Sequence, residues 1–291
     1  MERRGLLAAL AAAFLFGVSG VVAAGAFSAV GPAQVAQSRS VMAAVLLGLV
    51  AWRRGALSPG GRLGSLAGLG ALLAVVTITY YVAIDRLGVG PGVTIQFLGP
   101  VLVLVWMTTV QKRPVPGIAW AAAVTAVIGT LFITEAWNVD ALDPIGAAAG
   151  LGAAVTFAGY LVVGEYLGKR LPEITVAAYG FGFAAVIWLV FLPVRFPTAG
   201  SGVWPSLIWV GVAGTAIPFL LEIVALRRAD PGRVGVVATA EPVVAGLTAW
   251  VVLGQALGGL QLLGMAMTVA GVASIQAITH SVAPDIPPEV V

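Results

Sequence analysis

Two short stretches in the middle of long apolar runs decide how this chain folds: Gly99-Pro100-Val101 and Glu241-Pro242-Val243. The second follows the first by 142 residues. At the same shift, four further identities pair Ala83 with Ala225, Arg86 with Arg228, Gly117 with Gly259 and Gly129 with Gly271. Matches among Ala, Val and Gly arise easily by chance, so the paired prolines carry most of the weight. The sequence therefore predicts two similar halves.

Apolar residues form ten long runs along the chain. Hydrophobic residues make up 60% of the sequence and charged residues only 9%, whereas soluble domains carry about 25% charge. A helix needs about 20 apolar residues to cross a bilayer core of about 30 Å. The runs are continuous rather than alternating, which favours membrane-spanning helices over barrel strands. The predicted fold is an all-α membrane protein whose ten transmembrane helices cover residues 5–24, 33–52, 63–84, 88–110, 116–134, 144–164, 174–194, 203–226, 232–254 and 257–279.

The basic residues are concentrated in alternate gaps between these runs. Twelve of the fifteen fall on one side of the predicted membrane, while only Arg86 and Arg195 fall on the other and Arg39 lies within a span. Because Lys and Arg are enriched in cytoplasmic loops, both termini are predicted to be cytoplasmic. The twelve are Arg3, Arg4, Arg53, Arg54, Arg62, Lys112, Arg113, Lys169, Arg170, Arg227, Arg228 and Arg233.

The two halves are expected to have opposite orientations in the membrane. Each holds five spans, and an odd number of crossings turns the second half upside down. We expect residues 1–135 to form the first repeat, 136–143 an external linker, 144–279 the second repeat and 280–291 a disordered cytoplasmic tail. Inverted repeats around a midplane site are typical of secondary transporters, because two equivalent packings give outward-open and inward-open states.

Glu241 is the strongest candidate for a functional residue. It lies about nine residues into its span, which at 1.5 Å per residue places it near the midplane. The next residue, Pro242, cannot donate a backbone hydrogen bond and so frees a carbonyl group near Ala238. A carboxylate beside a free carbonyl suits a cation, an ammonium group or a coupling proton. The alternative is a structural carboxyl group that holds two helices together.

Arg39 and Glu222 are the other charged residues inside predicted spans, where each charge costs about 2.5 to 3.5 kcal/mol. Arg39 is a candidate ligand for a substrate carboxylate or a partner for Glu241, although its long side chain also reaches headgroups. Glu222 precedes Arg227 by five residues. A structural ion pair near the cytoplasmic interface is the favoured interpretation for Glu222.

Gln96 lies one helical turn before Pro100, on the same helix face, and is the polar counterpart of Glu241 in the first half. Pro100 and Pro242 are predicted to act as helix-breaking hinges. Aromatic and hydroxyl side chains that would line a cavity, unless they serve packing, are Tyr80, Tyr81, Thr94, Phe97, Trp106, Tyr160 and Tyr179.

Several chemistries find no support in the sequence. It has no cysteine, and its one histidine, His280, follows the last span without a ligand cluster, so no metal site or other cofactor is predicted. No phosphate-binding loop occurs, which disfavours ATP-driven transport. The calculated pI of 9.6 reflects basic residues at helix ends. These residues are expected to contact membrane lipid headgroups rather than nucleic acid.

The quoted motifs resemble the EamA branch of the drug/metabolite transporter superfamily. The similar segments are Ala240-Glu241-Pro242-Val243-Val244-Ala245-Gly246, Leu253-Gly254-Gln255, Gln261-Leu262-Leu263-Gly264 and Gly271. Closest to the threonine/homoserine exporter group are Ala83-Ile84-Asp85-Arg86-Leu87, Gln96-Phe97-Leu98-Gly99-Pro100 and the stretch from Pro218 to Leu226. The chain departs from that pattern at Gln96 and Gln255, where Glu is common. The resemblance implies two inverted five-helix repeats and export of small metabolites.

The sequence and this resemblance together predict a carrier in the inner or plasma membrane that works by alternating access. Its substrate would be a small molecule such as an amino acid, bound among spans one to four and six to nine. Alternatives are an exporter of drugs or lipophilic metabolites, a membrane scaffold and an intramembrane enzyme. An enzyme is disfavoured because no paired Asp motif or His cluster occurs. A scaffold has no need of a midplane carboxylate.

Overall fold

The computed structural model describes residues 2–87, 89–137, 143–193, 202–254 and 256–281. All regular structure in these ranges is helical, which confirms the predicted all-α class. Most of the expected linker and tail lies outside the described residues. The helices are α1 (Glu2–Val30), α2 (Pro32–Arg53), α3 (Leu63–Leu87), α4 (Val89–Gln96), α5 (Gly99–Thr109), α6 (Gly117–Thr134), α7 (Pro144–Gly168), α8 (Glu173–Phe191), α9 (Trp204–Gly211), a π-helical segment (Val212–Ala216), α10 (Ile217–Arg228), α11 (Pro231–Ala238), α12 (Ala240–Leu253) and α13 (Gly259–Ser281).

The predicted membrane spans are present in the described ranges. Nine helices or joined helices there are long and apolar enough to cross a bilayer, and a tenth apolar helix, Gly259–Ile275, is shorter. The orientation of the termini stays a prediction. Three spans are interrupted rather than continuous: the fourth divides into α4 and α5, the eighth contains the π-helical segment, and the ninth divides into α11 and α12.

The breaks in the fourth and ninth spans come immediately before the paired prolines. α4 ends at Gln96 and α5 begins at Gly99, while α11 ends at Ala238 and α12 begins at Ala240. A proline lacks the N–H that would bond the carbonyl four residues earlier, and its ring clashes with that carbonyl. The backbone therefore leaves the helix in the turn before each proline. Whether the two prolines lie at equal depth in the membrane stays a prediction.

The π-helical segment in the eighth span has a related cause. Pro218 has no N–H to offer the carbonyl of Gly214, four residues earlier, so a regular α-helical bond is impossible there. The chain widens to π geometry, and the Thr215 hydroxyl donates to the Val210 carbonyl at 2.6 Å. π-Bulges of this kind expose backbone carbonyl groups and recur at functional sites.

Helix packing follows the symmetry of the two halves. α3 packs on α7, and the equivalent helices α10 and α1 pack on each other. The pairs α2–α8 and α6–α13 map onto themselves when the halves are exchanged. This is the arrangement expected if a pseudo-twofold axis relates two repeats. It places the breaks of both halves in the middle of the bundle, where α5 contacts α11 through Pro100 and Gly235.

A candidate binding cavity at the centre of the bundle

A cavity of about 570 Å³ lies between the two halves, next to the broken spans. Volumes of about 300 to 1,000 Å³ are usual for small-molecule sites. Its lining comes from α1, α2, α3, α4, α6, α7, α10, α11, α12, α13, the π-helical segment and the residues between α12 and α13. Three charged side chains reach it: Arg39, Glu222 and Glu241. We call this space the central cavity.

Arg39 is held at the cavity wall by hydrogen bonds to neutral groups. Its Nε donates to the Thr215 hydroxyl at 2.9 Å, and its terminal nitrogens donate to the Tyr81 hydroxyl and the Gly214 carbonyl, both at 3.3 Å. The Gly214 carbonyl is the group that Pro218 leaves without its helical donor. The broken eighth span thus fixes the guanidinium from the second half, while Arg39 itself belongs to the first. None of these three partners is a carboxylate.

Glu241 occupies the second position of α12, directly after the break at Thr239. The backbone there fits tightly against α1, since a Cβ atom at Gly17 would lie 2.7 Å from the Glu241 carbonyl oxygen. The Glu241 side chain lines the cavity and forms no ion pair with Arg39. The central cavity therefore presents a cation and a carboxyl group, from different halves, that do not neutralise each other by direct contact.

Glu222 is the functional candidate that the sequence interpretation placed wrongly. It is 3% exposed and lines the central cavity, where it accepts a hydrogen bond of 3.0 Å from the Tyr160 hydroxyl. Arg227 pairs instead with Glu173 at 2.9 Å, so the expected ion pair at the interface is wrong. Residues five apart on a helix do not share a face, and this spacing was the available signal against that pair.

Aromatic rings form one side of the cavity. Phe219 is the centre of this cluster, and its ring packs edge-on against Phe16 and Phe181, each with centroids 4.9 Å away, and against Tyr160 at 5.6 Å. Phe157 stacks on Tyr160 at 6.3 Å. Edge-to-face contacts of this kind hold ring positions well. They supply a rigid apolar wall beside Glu222.

Gln96 lines the cavity at the end of α4, next to the first break. Its side-chain oxygen Oε1 is buried and has no hydrogen-bond partner among the described residues. A buried acceptor without a donor costs about 1 to 3 kcal/mol. A ligand that brings a hydrogen-bond donor to this point of the cavity would remove that cost.

The structure brings together only part of the predicted set. Glu241, Arg39, Gln96, Tyr80, Tyr160 and Pro242 line the central cavity. Phe97 lies behind the wall, 2% exposed and edge-on to Phe157 at 6.2 Å. Trp106 is 44% exposed and lines a different cavity. The Tyr179 hydroxyl donates to the Leu57 carbonyl at 2.7 Å, and Pro100 packs against Gly235. Gln255 lies outside the described residues.

The described residues contain no group of three or more His, Asp or Glu side chains placed to hold a metal ion. The cavity therefore offers hydrogen bonds, one positive charge, two carboxyl groups and apolar rings. Such a set can bind and orient a small polar or amphipathic molecule. A cavity of this kind between two repeats of membrane-spanning helices is typical of transporters.

Comparison with known proteins shows that the chain is a membrane transporter. The sequence matches the EamA-like transporter family over residues 3–135 and again over residues 144–276. The chain belongs to the EamA-like transporter family. It is thus a multi-pass membrane transporter rather than an enzyme, and its predicted cell-membrane location is confirmed. The two matches also confirm the family resemblance and the presence of two copies of the family unit.

Individual relatives extend this comparison. The threonine/homoserine exporter RhtA of Salmonella typhimurium is 31% identical over 207 residues, which cover 69% of this chain and 67% of the relative. RhtA of Escherichia coli K12 is 30% identical over the same shares. The uncharacterized transporter YwfM of Bacillus subtilis is 26% identical over 92% of both chains. A solved crystal structure that is 19% identical covers 96% of this chain with a TM-score of 0.79, which shows the shared fold.

Proposed function

We propose that this transporter exports small amino acids, or closely similar zwitterionic metabolites, by alternating access around the central cavity. The observation that carries the proposal is that Arg39 and Glu241, from different halves, line one cavity without forming an ion pair with each other. An amino acid has both complementary groups. Its carboxylate would bind the Arg39 guanidinium and its ammonium group would bind Glu241.

The names of two relatives support both the direction and the substrate class. Threonine and homoserine are small amino acids with a hydroxyl group, and RhtA is described as their exporter. The unpartnered oxygen of Gln96 would accept a hydrogen bond from such a hydroxyl. A bound zwitterion also spans the two repeats, so its binding is coupled to their relative movement. Glu241 or Glu222 would carry a coupling proton.

Flux measurements in proteoliposomes test this proposal. Purified protein is reconstituted with and without a pH gradient, and uptake of labelled threonine, homoserine and other amino acids is followed. Competition by threonine methyl ester and N-acetylthreonine then removes one charged group of the substrate at a time. We expect both analogues to compete poorly with wild type. Equal competition by all three compounds would contradict recognition of a zwitterion.

The variant Arg39→Gln links this recognition to one residue. Loss of the guanidinium should reduce the preference for threonine over its methyl ester, while the preference over N-acetylthreonine remains. Arg39→Lys is the matched control that retains the charge but not the planar donor geometry. A variant that discriminates against the ester as strongly as wild type would remove Arg39 from carboxylate binding.

Export of drugs or lipophilic metabolites is the second candidate, and the aromatic cluster around Phe219 favours it. Such a carrier would tolerate the loss of both charges. The same proteoliposomes, loaded with a neutral aromatic compound, distinguish the two functions. Transport of that compound by Arg39→Gln at the wild-type rate, with no amino-acid flux in wild type, would favour this second function.

The proposed orientation has cytoplasmic termini and inverted repeats divided by residues 136–143. It is supported by the charge asymmetry of the loops. Reporter fusions after Arg54, Arg113, Arg170 and Arg233 should report the cytoplasm, and a fusion at Asp140 the outside. A cytoplasmic signal at Asp140 would contradict the inverted arrangement.

A further inference from the structure

A second cavity, of about 840 Å³, is lined by α3, α5 and α7 and shares no lining residue with the central cavity. α3 and α5 each pack on α7, which forms its floor. We call this space the α3–α5 groove. The exposed Trp106 side chain lies in its wall. The groove opens to the outside of the bundle, where Trp106 and Tyr166 are exposed.

One wall of the groove is an apolar stripe with a gap in it. Ser65, Gly68, Leu72 and Val75 recur at intervals of three or four residues and so share one face of α3. A Cβ atom at Gly68 would meet nothing within 4 Å. From Ser65 to Val75 the helix rises about 15 Å. This is about the hydrocarbon thickness of one leaflet, half of a core of about 30 Å.

The end of the groove near Ser65 is positively charged. Arg113 and Lys169 both pair with the buried carboxylate of Glu165, at 2.9 and 2.5 Å. The Arg170 guanidinium lies 4.0 Å above the Tyr166 ring. Three cations and one carboxylate leave a net charge of plus two at this end. An apolar channel that leads to a cationic end complements a single amphipathic anion.

Gln111 supplies an independent sign of a missing ligand at the charged end. It lines the groove, and its Oε1 atom is buried without a hydrogen-bond partner in the part of the chain that the structure describes. None of the neighbouring basic groups donates to it: Arg113 and Lys169 pair with Glu165, and Arg170 contacts Tyr166. A ligand that carries a hydroxyl group would supply the missing donor.

We propose that the α3–α5 groove is a specific site for one anionic phospholipid with a hydroxylated headgroup, of the phosphatidylglycerol type. An acyl chain lies along α3 over Gly68, Leu72 and Val75. The phosphate lies between Lys169 and Arg170, and a headgroup hydroxyl donates to Gln111. The site is separate from the transport cavity, so it exists whatever the transported substrate is.

Competitive lipid binding to the purified protein tests the proposal. Detergent-solubilised protein is mixed with equal amounts of dioleoylphosphatidylglycerol and dioleoylphosphatidylcholine, and retained lipid is counted by native mass spectrometry. Thermal stabilisation by each lipid and by inorganic phosphate alone is measured in parallel. Wild type should retain one phosphatidylglycerol in preference to phosphatidylcholine. Equal retention of both lipids would overturn the proposal and indicate annular lipid only.

Two pairs of variants assign the site within the molecule. Gly68→Leu fills the groove, whereas Gly64→Leu adds the same side chain at an exposed position of α3 that also has open space but does not line the groove. Arg170→Gln removes one charge from the groove, and Arg53→Gln removes one from the exposed end of α2. Only the first member of each pair should lose lipid.

The expected loss for Arg170→Gln is about five-fold in phosphatidylglycerol affinity, the factor equivalent to about 1 kcal/mol per basic residue near an anionic lipid. Gly68→Leu should lose binding at least as strongly. Equal behaviour of Gly68→Leu and Gly64→Leu would overturn the acyl-chain position. Stabilisation by inorganic phosphate that equals that by lipid and persists in Gly68→Leu would show a free-anion site instead, and would also overturn the proposal.

Discussion

The fourth and ninth spans are broken by the same device, yet they contribute different chemistry to the central cavity. In both, the helix stops in the turn before a proline and restarts with that proline in its first turn. Exchanging the halves places Gly99 on Glu241 and Tyr80 on Glu222. Both carboxyl groups of the cavity therefore come from the second half, while the guanidinium of Arg39 comes from the first.

A glycine lies at the contact in each of two equivalent helix crossings, α12 with α1 and α5 with α7. Where α12 meets α1, a Cβ atom at Gly17 would lie 2.7 Å from the Glu241 carbonyl oxygen, and the Glu241 side chain lines the cavity. Where α5 meets α7, the small residue is Gly99 on α5, and a Cβ atom there would lie 2.7 Å from the Phe157 ring. The side chain that reaches the cavity is then Phe157 of α7. The equivalent of Gly17 on α7 is also a glycine, Gly159, so the two crossings differ in residue 99 against residue 241, which is glycine in the first half and glutamate in the second.

Of the two equivalent positions, Gly99 and Glu241, only Glu241 carries a carboxyl group, and its replacement should give the largest effect. Glu241→Gln keeps the shape of the side chain but removes its charge. The equivalent residue in the first half, Gly99, has no side chain. We expect proteoliposome flux to fall about thirty-fold or more, which corresponds to about 2 kcal/mol for the loss of one buried charge partner. Thermal stability in detergent should stay close to wild type.

Glu173→Gln is the matched control for this variant, because Glu173 pairs with Arg227 away from the cavity. It makes the same chemical change and should leave flux intact. Normal transport by Glu241→Gln would remove the Glu241 charge from the mechanism. A loss of stability together with flux would instead show that Glu241 holds the helices together.

The next effect tests Gly17, the glycine of α1 that contacts α12. A Cβ atom in Gly17→Ala would lie 2.7 Å from the Glu241 carbonyl oxygen, and backbone cannot move aside cheaply. We expect a loss of about 1 to 3 kcal/mol in stability, as for other overpacked contacts, together with lower flux. The midpoint of thermal unfolding measures it. Gly20→Ala, on the same helix with nothing within 4 Å of the added atom, is the control and should be at least as stable as wild type.

Gly99→Ala should be the milder change in the first half. Its nearest neighbour is an atom of the Phe157 ring rather than backbone, and a ring can tilt. We expect the unfolding midpoint to fall less than for Gly17→Ala, while the displaced ring alters the apparent KM for substrate. A larger loss of stability for Gly99→Ala than for Gly17→Ala would contradict the expected difference between a contact with a ring and a contact with backbone.

The smallest effect is expected for Arg227, the residue that the sequence suggested as the ion-pair partner of Glu222. Arg227→Gln breaks only the contact with Glu173, and the Arg227 side chain is 47% exposed. Pairs exposed to this degree contribute about 0 to 1 kcal/mol. Flux should match wild type within error. Reduced flux in Arg227→Gln would show that Arg227 matters to the cavity and would revive its link to Glu222.

Individual residues show how far the sequence could predict the site. Glu241 and Gln96 were found because charge and amide groups are costly in an apolar span and both adjoin a proline. Trp106 and Tyr179 were included because aromatic residues are common both in binding sites and at helix surfaces, and sequence does not separate the two roles. Glu222 was assigned to the wrong partner, because the π-helical segment and the packing of α10 on α7 decide which way its face points.

The sequence by itself determined the helical class, the apolar spans, the two halves and the positions of the breaks. These features follow from local chemistry: the length of apolar runs, the missing N–H of proline and the cost of charge in hydrocarbon. The tertiary structure alone decided which side chains share the central cavity, that Arg39 is held by the π-helical segment, and that Tyr160 binds Glu222. Those contacts join residues far apart in the chain, so they depend on how the helices pack against one another and not on the local sequence.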